Sequence, residues 1–299
     1  MIIVTLVATL ATAMVWQQWR AVQVEAAERA RTQAAWVLSG ALDFAKLILS
    51  EDLKAKRNVT ALTEPWATPL AESRLSTFLS VDAQETDDGP DAFLSGSIAD
   101  AQARFNLMNL TAKDPLVAAT QLRIFQSLCQ NIGVEVGVAQ RIFSDLQAAS
   151  AASPSAGAPL IPGNVSQLAW LGVDPATIEA LRPYVVVLTL GASGTPILVN
   201  ANTASKEVLA AALQLSPAAA QALTVVAQQK PYQTTSAIVG AATADLNNIS
   251  VRSDYFEVRG RLRLADRVLV ERTLLLRNPD GTSTVLDQER VSTLEQAGP

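Results

Sequence analysis

The apolar and polar positions of the first 55 residues form two consecutive helical patterns. Residues 1–19 contain no charged side chain, and residues 1–55 contain no proline and a single glycine, Gly40. A run of about 20 apolar residues can cross the core of a bilayer as one helix. After Arg20 the apolar residues recur every three or four positions, which is the period of an amphipathic helix. The pattern predicts one continuous helix that ends near residues 57–58, with its first half in lipid and its second half packed on a folded domain.

Strand patterns lie on both sides of a helical block of about 130 residues. Apolar and polar residues alternate over residues 93–110 and again over residues 257–264. Turn signals then bound a run at 268–276 and a short strand at 282–287, with a frayed tail beyond residue 288. A lone three-stranded meander has little to cover its face. We therefore expect both groups of strands to form one sheet against the second half of the first helix.

The helical block contains two similar helix–turn–helix units. A capping residue and a proline open the second helix of each unit, at Asp174-Pro175 and at Ser216-Pro217. The units are similar to helix-hairpin-helix modules, which bind the DNA backbone through glycine-bearing turns with basic residues nearby. The second turn has no glycine and Lys206 as its one close cation, which favours a structural or protein-binding role. A basic row on one strand is interpreted as an exposed face that pairs with acids: Arg259, Arg261 and Arg263.

Composition and charge narrow the chemistry. The net charge is −5, which argues against nucleic acid as a main partner. The chain has no histidine, which excludes Ser-His-Asp catalysis, Cys-His catalysis and histidine-ligated metal sites. The single cysteine, Cys129, lies in an apolar helical pattern and is predicted to be a buried thiol. No serine or carboxylate has a recognisable base at a catalytic spacing, so we expect no enzymatic activity.

One acidic segment is a weak candidate for a metal site. A hard cation such as Ca²⁺ requires several converging oxygen ligands, usually with two or more carboxylates. The candidate ligands are Asp82, Glu85, Asp87, Asp88 and Asp91. Their spacing is not that of an EF-hand, and a solvated acidic loop is the simpler interpretation.

Four stretches of the chain point to a family. They are Trp16-Gln17-Gln18, Glu64-Pro65-Trp66-Ala67, the segment from Gly96 to Leu107, and Val199-Asn200-Ala201-Asn202-Thr203-Ala204. In this order the chain resembles the K-type minor pseudopilin of bacterial type II secretion systems, the GspK family. The resemblance covers nearly the whole chain. It implies an α+β fold in which a pilin-like long N-terminal helix packs on a small antiparallel sheet, with a large all-helical domain inserted between strands.

The expected division of the chain follows from this resemblance. Residues 1–19 form the transmembrane half of the helix, 20–112 and 250–290 the pilin-like domain, and 113–249 the inserted helical domain. Members of the family have been associated with calcium, so Ca²⁺ is the cofactor that the resemblance implies. The chain departs from the family in one respect that bears on calcium. An acidic segment that usually follows the second inserted helix is replaced here by Phe143-Ser144-Asp145-Leu146 and an Ala/Ser/Pro-rich loop.

The resemblance also implies a function. The chain would be a single-pass inner-membrane protein with its soluble domain in the periplasm. It would lie at the tip of the pseudopilus, nucleate assembly and support protein export across the outer membrane, with I- and J-type minor pseudopilins as partners. The expected partner contacts on the first helix are Leu6, Leu10, Val22, Val24 and Ala27. Two alternatives stay open: a membrane-anchored DNA-binding protein of competence type, and a membrane-anchored adaptor.

The apolar N-terminus itself has three interpretations: a cleaved signal peptide, a plain anchor, or a pilin-type helix. Ala11-Thr12-Ala13 is similar to a signal-peptide cleavage site, but no basic residue precedes it and the helical pattern continues through it. The nearby basic residues Arg20, Arg29 and Arg31 follow the apolar run, so the positive-inside rule would place that side in the cytoplasm. A basic leader upstream would reverse this orientation.

We therefore expect the natural reading frame to extend upstream of Met1. It should encode a basic stretch, then glycine, then apolar residues, as in pilin-type precursors. Sequencing the genomic region checks this. An in-frame stop codon directly before Met1, with no basic leader, would remove the pilin-processing interpretation.

Overall fold

The computed structural model describes residues 2–55, 58–75, 92–151, 157–191, 194–238, 246–264 and 267–291. The elements begin with α1 (Ile2–Lys54), β1 (Leu70–Arg74), β2 (Ala92–Asp100), β3 (Phe105–Asn106), α2 (Pro115–Asn131), α3 (Val136–Ala149), α4 (Pro175–Leu181) and β4 (Val185–Val186). They continue with β5 (Val199–Asn200), α5 (Lys206–Leu213), α6 (Pro217–Gln229), β6 (Ile249–Ser250), β7 (Tyr255–Leu264), β8 (Arg267–Arg277) and β9 (Ser283–Val291). Short 3-10 turns connect several of them.

Helix α1 is one uninterrupted helix of 53 residues, as the absence of proline predicts. Residues 2–26 are exposed along their whole length, and α1 is long and apolar enough to cross a membrane. Its hydroxyl groups do not interrupt the apolar surface, because they bond back to the helix. Thr9, for example, donates to the carbonyl of Leu6 at 2.9 Å.

The second half of α1 packs on a five-stranded antiparallel sheet in the order β1-β2-β7-β8-β9. Its buried residues recur every three or four positions: Ala34, Leu38, Leu42, Ala45 and Leu49. They meet the apolar face of the central strands, where Phe256, Val258 and Leu262 are buried. This confirms the predicted arrangement of one sheet on the amphipathic half of the helix.

Two glycines lie in the sheet beneath α1. Gly96 of β2 and Gly260 of β7 are directly opposite each other in the ladder. A Cβ on Gly260 would lie 3.2 Å from Cδ2 of Leu38, and one on Gly96 would lie 2.9 Å from the carbonyl oxygen of Arg259. A side chain at Gly260 would push α1 outward, and one at Gly96 would distort the ladder with β7, so Gly260 is the glycine that lets the helix approach the sheet.

The helical block is inserted between β2 and β7, as predicted, with its own large apolar core. The insertion is not all-helical, however. Two parallel ladders of two residues each lie within it, β3 with β4 and β5 with β6. These short pairs connect segments far apart in sequence, a kind of contact that local periodicity does not encode.

The predicted strand at 93–110 is too long. β2 ends at Asp100, and two 3-10 turns and the two-residue β3 follow it. The side chains of Asp100 and Asn106 accept hydrogen bonds from the backbone N–H groups of Gln102 and Met108. Such local bonds compete with strand pairing. The alternation beyond residue 100 therefore comes from capped turns.

Two other elements differ in length from the prediction: α1 is shorter and β9 is longer. α1 ends at Lys54 rather than near residues 57–58, of which residue 57 lies outside the described part of the chain. The backbone at Thr60 is already paired with Val251, at 2.8 Å, which requires the chain to leave the helix axis. β9 runs to Val291 instead of ending at residue 287. Side-chain contacts to β8 hold the segment where a frayed tail was expected, including Gln288 to Glu271 at 2.6 Å.

Candidate assembly surface and buried polar junction

The five predicted contact positions of α1 all lie at or near its exposed surface. Leu6, Leu10, Val22 and Val24 are exposed, and Ala27 is half-buried. A helix turns about 100° per residue, so Leu6, Leu10 and Val24 point to one side, Val22 points to nearly the opposite side, and Ala27 points toward the side of the sheet. The structure places all five on one helix but not on one face.

Aromatic residues mark the end of the apolar half of α1. Trp16 and Trp19 are exposed, and the guanidinium of Arg20 lies 4.6 Å from the centroid of the Trp16 ring. Tryptophan with a neighbouring cation is typical of the boundary between lipid and water.

The candidate metal ligands, Asp82 to Asp91, lie outside the described residues. Within the part of the chain that the structure does describe, no three His, Cys, Asp or Glu side chains are grouped so that they could hold a metal ion. Cys129 is fully buried, and burial raises the pKa of its thiol to about 12. This agrees with the predicted buried thiol.

The basic row of β7 is paired, as its sequence suggested. Arg263 and Arg261 approach Glu72 of β1, with nitrogen–oxygen distances of 2.7 and 3.5 Å. At the end of the row, Glu257 accepts a hydrogen bond of 2.7 Å from Arg104. Burial alone would raise the pKa of Glu257, but the nearby arginine charges hold that pKa below its usual range. Two arginines of the row therefore share one carboxylate, that of Glu72.

The two helix–turn–helix units are also poorly suited to binding the phosphates of a DNA backbone. Asp174 caps α4 and accepts hydrogen bonds from the N–H and the hydroxyl of Thr177, which lower the pKa of its carboxyl group. An ionised carboxylate thus occupies the helix end where a phosphate would bind. In the second unit, α5 and α6 are bent by 116°, and Lys206 lies 3.8 Å from Glu207. These features favour the structural interpretation of the units.

A buried ion pair joins the end of α1 to the last strands of the sheet. Nη1 of Arg277 donates to Oδ2 of Asp52 at 3.0 Å, and the side chains are 1% and 4% exposed. Nη2 of Arg277 donates to the carbonyl of Ser253 at 2.8 Å and to the hydroxyl of Thr60 at 3.3 Å. The guanidinium also lies 4.7 Å from the ring centroid of Phe256. One side chain therefore links α1, the following loop and the strand region.

A second buried cluster joins the insertion to Thr60 and Ser253, the residues that Arg277 also contacts. Oδ2 of Asp100 accepts hydrogen bonds from Asn200 at 2.9 Å, and from Ser253 and Thr203 at 2.6 Å each. Asn200 also donates to the carbonyl of Thr60 at 3.0 Å. Burial raises the pKa of Asp100, and the hydrogen bonds from these side chains partly oppose that rise. Together with the Arg277 contacts, these bonds form what we call the polar junction, consisting of Asp52, Thr60, Asp100, Asn200, Thr203, Ser253 and Arg277.

Two asparagines extend the docking of the insertion. The side-chain amide of Asn106 both donates to and accepts from the backbone of Leu188, at 2.9 and 2.8 Å. Asn109 does the same with the backbone of Ile197, at 2.9 and 2.8 Å. Each amide replaces a neighbouring strand residue in satisfying buried backbone groups. The segment after β2 is therefore held to the insertion by side chains.

Two of the stretches that carried the family resemblance contribute residues to the polar junction, and a third packs beside it against Phe256. Residues 96–107 contain Asp100 and Asn106, and residues 199–204 contain Asn200 and Thr203. In the third stretch, Trp66 donates to Glu64 at 2.6 Å and packs edge-on against Phe256, with centroids 5.3 Å apart. Sequence reasoning singled out these stretches but missed their shared location. Polar residues inside otherwise apolar segments were the available signal.

The chain is similar in sequence and in fold to proteins of type II secretion systems. The sequence model for the family "Type II secretion system (T2SS), protein K" matches residues 103–190, which include Asn106 and Asn109. The type II secretion system protein K of Pseudomonas aeruginosa is 25% identical over 319 residues, covering 97% of this chain and 90% of that protein.

The chain is thus similar to type II secretion system protein K in part by the family model and nearly end to end by the relative. Its fold is also that of a solved structure. The crystal structure of the GspK-GspI-GspJ complex from enterotoxigenic Escherichia coli matches with a TM-score of 0.69 at 20% identity. The match covers 89% of this chain and 99% of that chain. The fold is therefore retained although four residues in five differ between the two chains.

Loss of the buried pair should destabilise the protein strongly. Asp52→Ala leaves the guanidinium of Arg277 buried without its counter-charge, so we expect a loss of about 3–5 kcal/mol in the free energy of unfolding. Glu51→Ala is the matched control, because it breaks the exposed neighbouring pair with Lys54 and should cost about 1 kcal/mol or less. Chemical unfolding of the full chain in mild detergent measures both. Equal effects would contradict a structural role for the pair.

The buried carboxyl of Asp100 should make stability depend on pH. Its folded-state pKa is raised, so its contribution to stability is present at low pH and is lost as the pH rises through the folded pKa. The melting temperature of the native chain, compared with Asp100→Asn, should fall as the pH rises above about 4, the ordinary pKa of an aspartate.

Asp174→Asn provides the control of opposite sign. The pKa of Asp174 is lowered in the fold, so the advantage of the native chain over this variant is lost as the pH falls. Parallel melting curves for the native chain and Asp100→Asn at every pH would contradict the role assigned to Asp100.

Proposed function

We propose that the chain is a structural minor pseudopilin that forms the tip of a type II secretion pseudopilus. In this role it nucleates pseudopilus assembly and supports protein export across the outer membrane, without catalysing a reaction. The observation that carries the proposal is the division of α1: residues 2–26 are fully exposed, while the second half is anchored in the core. Such a helix can leave lipid and pack on other helices without unfolding its own domain.

The partners are I- and J-type minor pseudopilins. This assignment rests on the family and on the similar solved structure, which is that of GspK in complex with GspI and GspJ. We propose that α1 crosses the inner membrane once and that the folded part lies in the periplasm. Trp16, Trp19 and Arg20 at the end of the apolar half support a boundary at this level.

The insertion supports a terminal position. We propose that residues 113–249 act as one unit, beside a transmembrane half at 1–19 and a pilin-like domain at 20–112 and 250–290. The insertion interrupts the sheet between β2 and β7 and adds a second core larger than that of the helix and sheet. A subunit with this added bulk is difficult to stack within a filament of simple pilins. The polar junction fixes the bulk relative to α1, so it cannot swing aside.

Cross-linking can test the assembly role of α1. With Cys129 replaced by alanine, single cysteines are placed at Val22, Val24 and Ala27, which point in different directions around the helix. They are paired with cysteines on the first helices of the I- and J-type partners. We expect cross-links from one direction only, because an ordered helix interface buries one face.

Two results would contradict this expectation. Equal cross-linking from all three positions would indicate a freely rotating anchor. Absence of cross-links while the chain remains stably inserted would indicate that α1 serves as an anchor alone. The terminal position is measured separately, by immunogold labelling of pseudopili. Label along the shaft rather than at one end would overturn the tip assignment.

A further inference from the structure

The loop after α1 is held by the insertion at one residue, Thr60. Thr60 is fully buried, and its backbone N–H donates to the carbonyl of Val251 at 2.8 Å. Its own carbonyl accepts from Nδ2 of Asn200 at 3.0 Å. Its hydroxyl accepts from the N–H of Ser253 at 3.1 Å and from Nη2 of Arg277 at 3.3 Å. The polar groups of Thr60 therefore meet the insertion on one side and, through Arg277, the end of α1 on the other.

The hydrogen bonds continue from Asn200 into the second helix–turn–helix unit. Oδ1 of Asn200 accepts from the backbone N–H of Asn202 at 3.0 Å. The side-chain amide of Asn202 donates to the carbonyl of Tyr232 at 3.1 Å and accepts from the N–H of the same residue at 2.8 Å. The hydroxyl of Tyr232 donates to the carbonyl of Leu223 in α6, at 3.2 Å. A line of buried residues thus runs from the end of α1 to α6, and we call it the relay: Asp52, Arg277, Thr60, Asn200, Asn202 and Tyr232.

Burial makes the bonds of the relay depend on one another. Thr60, Asn200 and Asn202 each take part in several of these bonds. A buried donor or acceptor that loses its partner bears the full cost of its desolvation, so the loss of one bond leaves a neighbouring group unsatisfied. Hydrogen bonds in a buried network also strengthen one another through the low local dielectric. We therefore expect the relay to form or open as a whole.

The first helix–turn–helix unit differs from the second in this respect. Asp174 accepts its hydrogen bonds from Thr177 within the same unit, and Gln167 accepts one from the backbone four residues before it. Both units contribute apolar residues to one large core. The bonds of Asp174 and Gln167 are local, whereas those of Asn202 and Tyr232 lead to α1. The apolar core thus holds both units, and the relay adds a polar connection from the second unit to the first helix.

We propose that the relay couples the seating of α1 on its sheet to the ordering of the second helix–turn–helix unit. With the end of α1 seated, Asp52 holds Arg277, and Arg277 and the insertion together hold Thr60. When α1 is displaced, Arg277 loses its counter-charge, Thr60 moves with the chain that follows the helix, and the second unit loosens. The coupling is reciprocal, so a loosened second unit weakens the seating of α1. A subunit thereby presents an ordered second unit to an assembly only with its first helix in place, a consequence that rests on the proposed function.

Substitution of Thr60 tests the relay at its centre. Thr60→Val removes the hydroxyl and leaves the backbone bonds in place, and Thr60→Ser is the matched control that retains the hydroxyl. Hydrogen–deuterium exchange is measured on the full chain in mild detergent. The reporter is the amide of Tyr232, which donates to Asn202 at the far end of the relay, and α3 is the reference. Relative to α3, we expect Thr60→Val to raise the exchange rate of Tyr232 by about tenfold or more, and Thr60→Ser by less than about threefold.

A second control separates the relay from a general loss of stability. Ile142 is fully buried in α3, so Ile142→Ala leaves a cavity in the core of the insertion away from the relay. Each variant is measured equally far below its own melting temperature. Ile142→Ala should raise exchange in α3 at least as much as at Tyr232. If Thr60→Val gives the same ratio of rates as Ile142→Ala, or leaves Tyr232 unchanged, the proposal is overturned.

A double-mutant cycle measures the coupling to α1 itself, because a line of contacts is a coupling only if substitutions at its two ends interact. Asn202→Ala should lower the melting temperature less than about half as much in the Asp52→Asn background as in the native chain. Gln147→Ala is the control. It removes a bond of 2.6 Å from α3 to the carbonyl of Leu110 and should have the same effect in both backgrounds.

Additive effects of Asp52→Asn and Asn202→Ala would contradict the coupling. All of these measurements use the chain without partner subunits. Their outcome is therefore separate from that of the cross-linking and labelling experiments on the tip role.

Discussion

The structure depends on a helix that meets two different environments along one axis. The first half of α1 exposes apolar residues in every direction, which is stable in lipid or against other helices. The second half buries Leu38, Leu42 and Leu49 on a sheet. Because the backbone is one uninterrupted helix, the contact between its second half and the sheet also fixes the position of the sheet relative to the first half. Gly260 allows α1 to approach the sheet, and Gly96 allows β2 to pair closely with β7 beneath it.

The polar junction extends that constraint to the insertion. A buried ion pair contributes little net stability compared with apolar residues of the same size, but removing one partner is costly. The junction therefore acts less as a source of stability than as a requirement for one arrangement. Arg277 reaches Asp52 of α1 and Thr60 of the loop, and Asp100 reaches Asn200 of the insertion. The insertion thus has a fixed orientation relative to α1.

This rigidity suits the structural role proposed above. In the described part of the chain several charged side chains form ion pairs and Cys129 is buried, and the surface of α1 offers apolar area on more than one side. The side facing its own sheet is occupied. The opposite side carries exposed apolar residues, among them Trp36.

Local pattern determined much of the fold. The length and composition of α1, the residues that face its sheet, the strands of the C-terminal meander and the caps at Asp174 and Ser216 follow from short-range periodicity and side-chain hydrogen bonding. The stretches around Asp100 and Asn200 were recognisable as unusual. Boundaries were less predictable, since the alternation after Asp100 is the same whether it arises from a strand or from capped turns. The strand beyond Gln288 depends on contacts with β8 that its own composition does not reveal.

Only the tertiary structure decided which distant residues meet. Asp52 and Arg277 are 225 positions apart, and no periodicity links them. Their pairing exists because the end of α1 and the end of β8 are brought together by the sheet. In the same way, the sequence showed a glycine at position 40 but not its surroundings. That Gly40 faces away from the core, and that its missing side chain serves no contact with the described residues, follows from which side of α1 the sheet occupies.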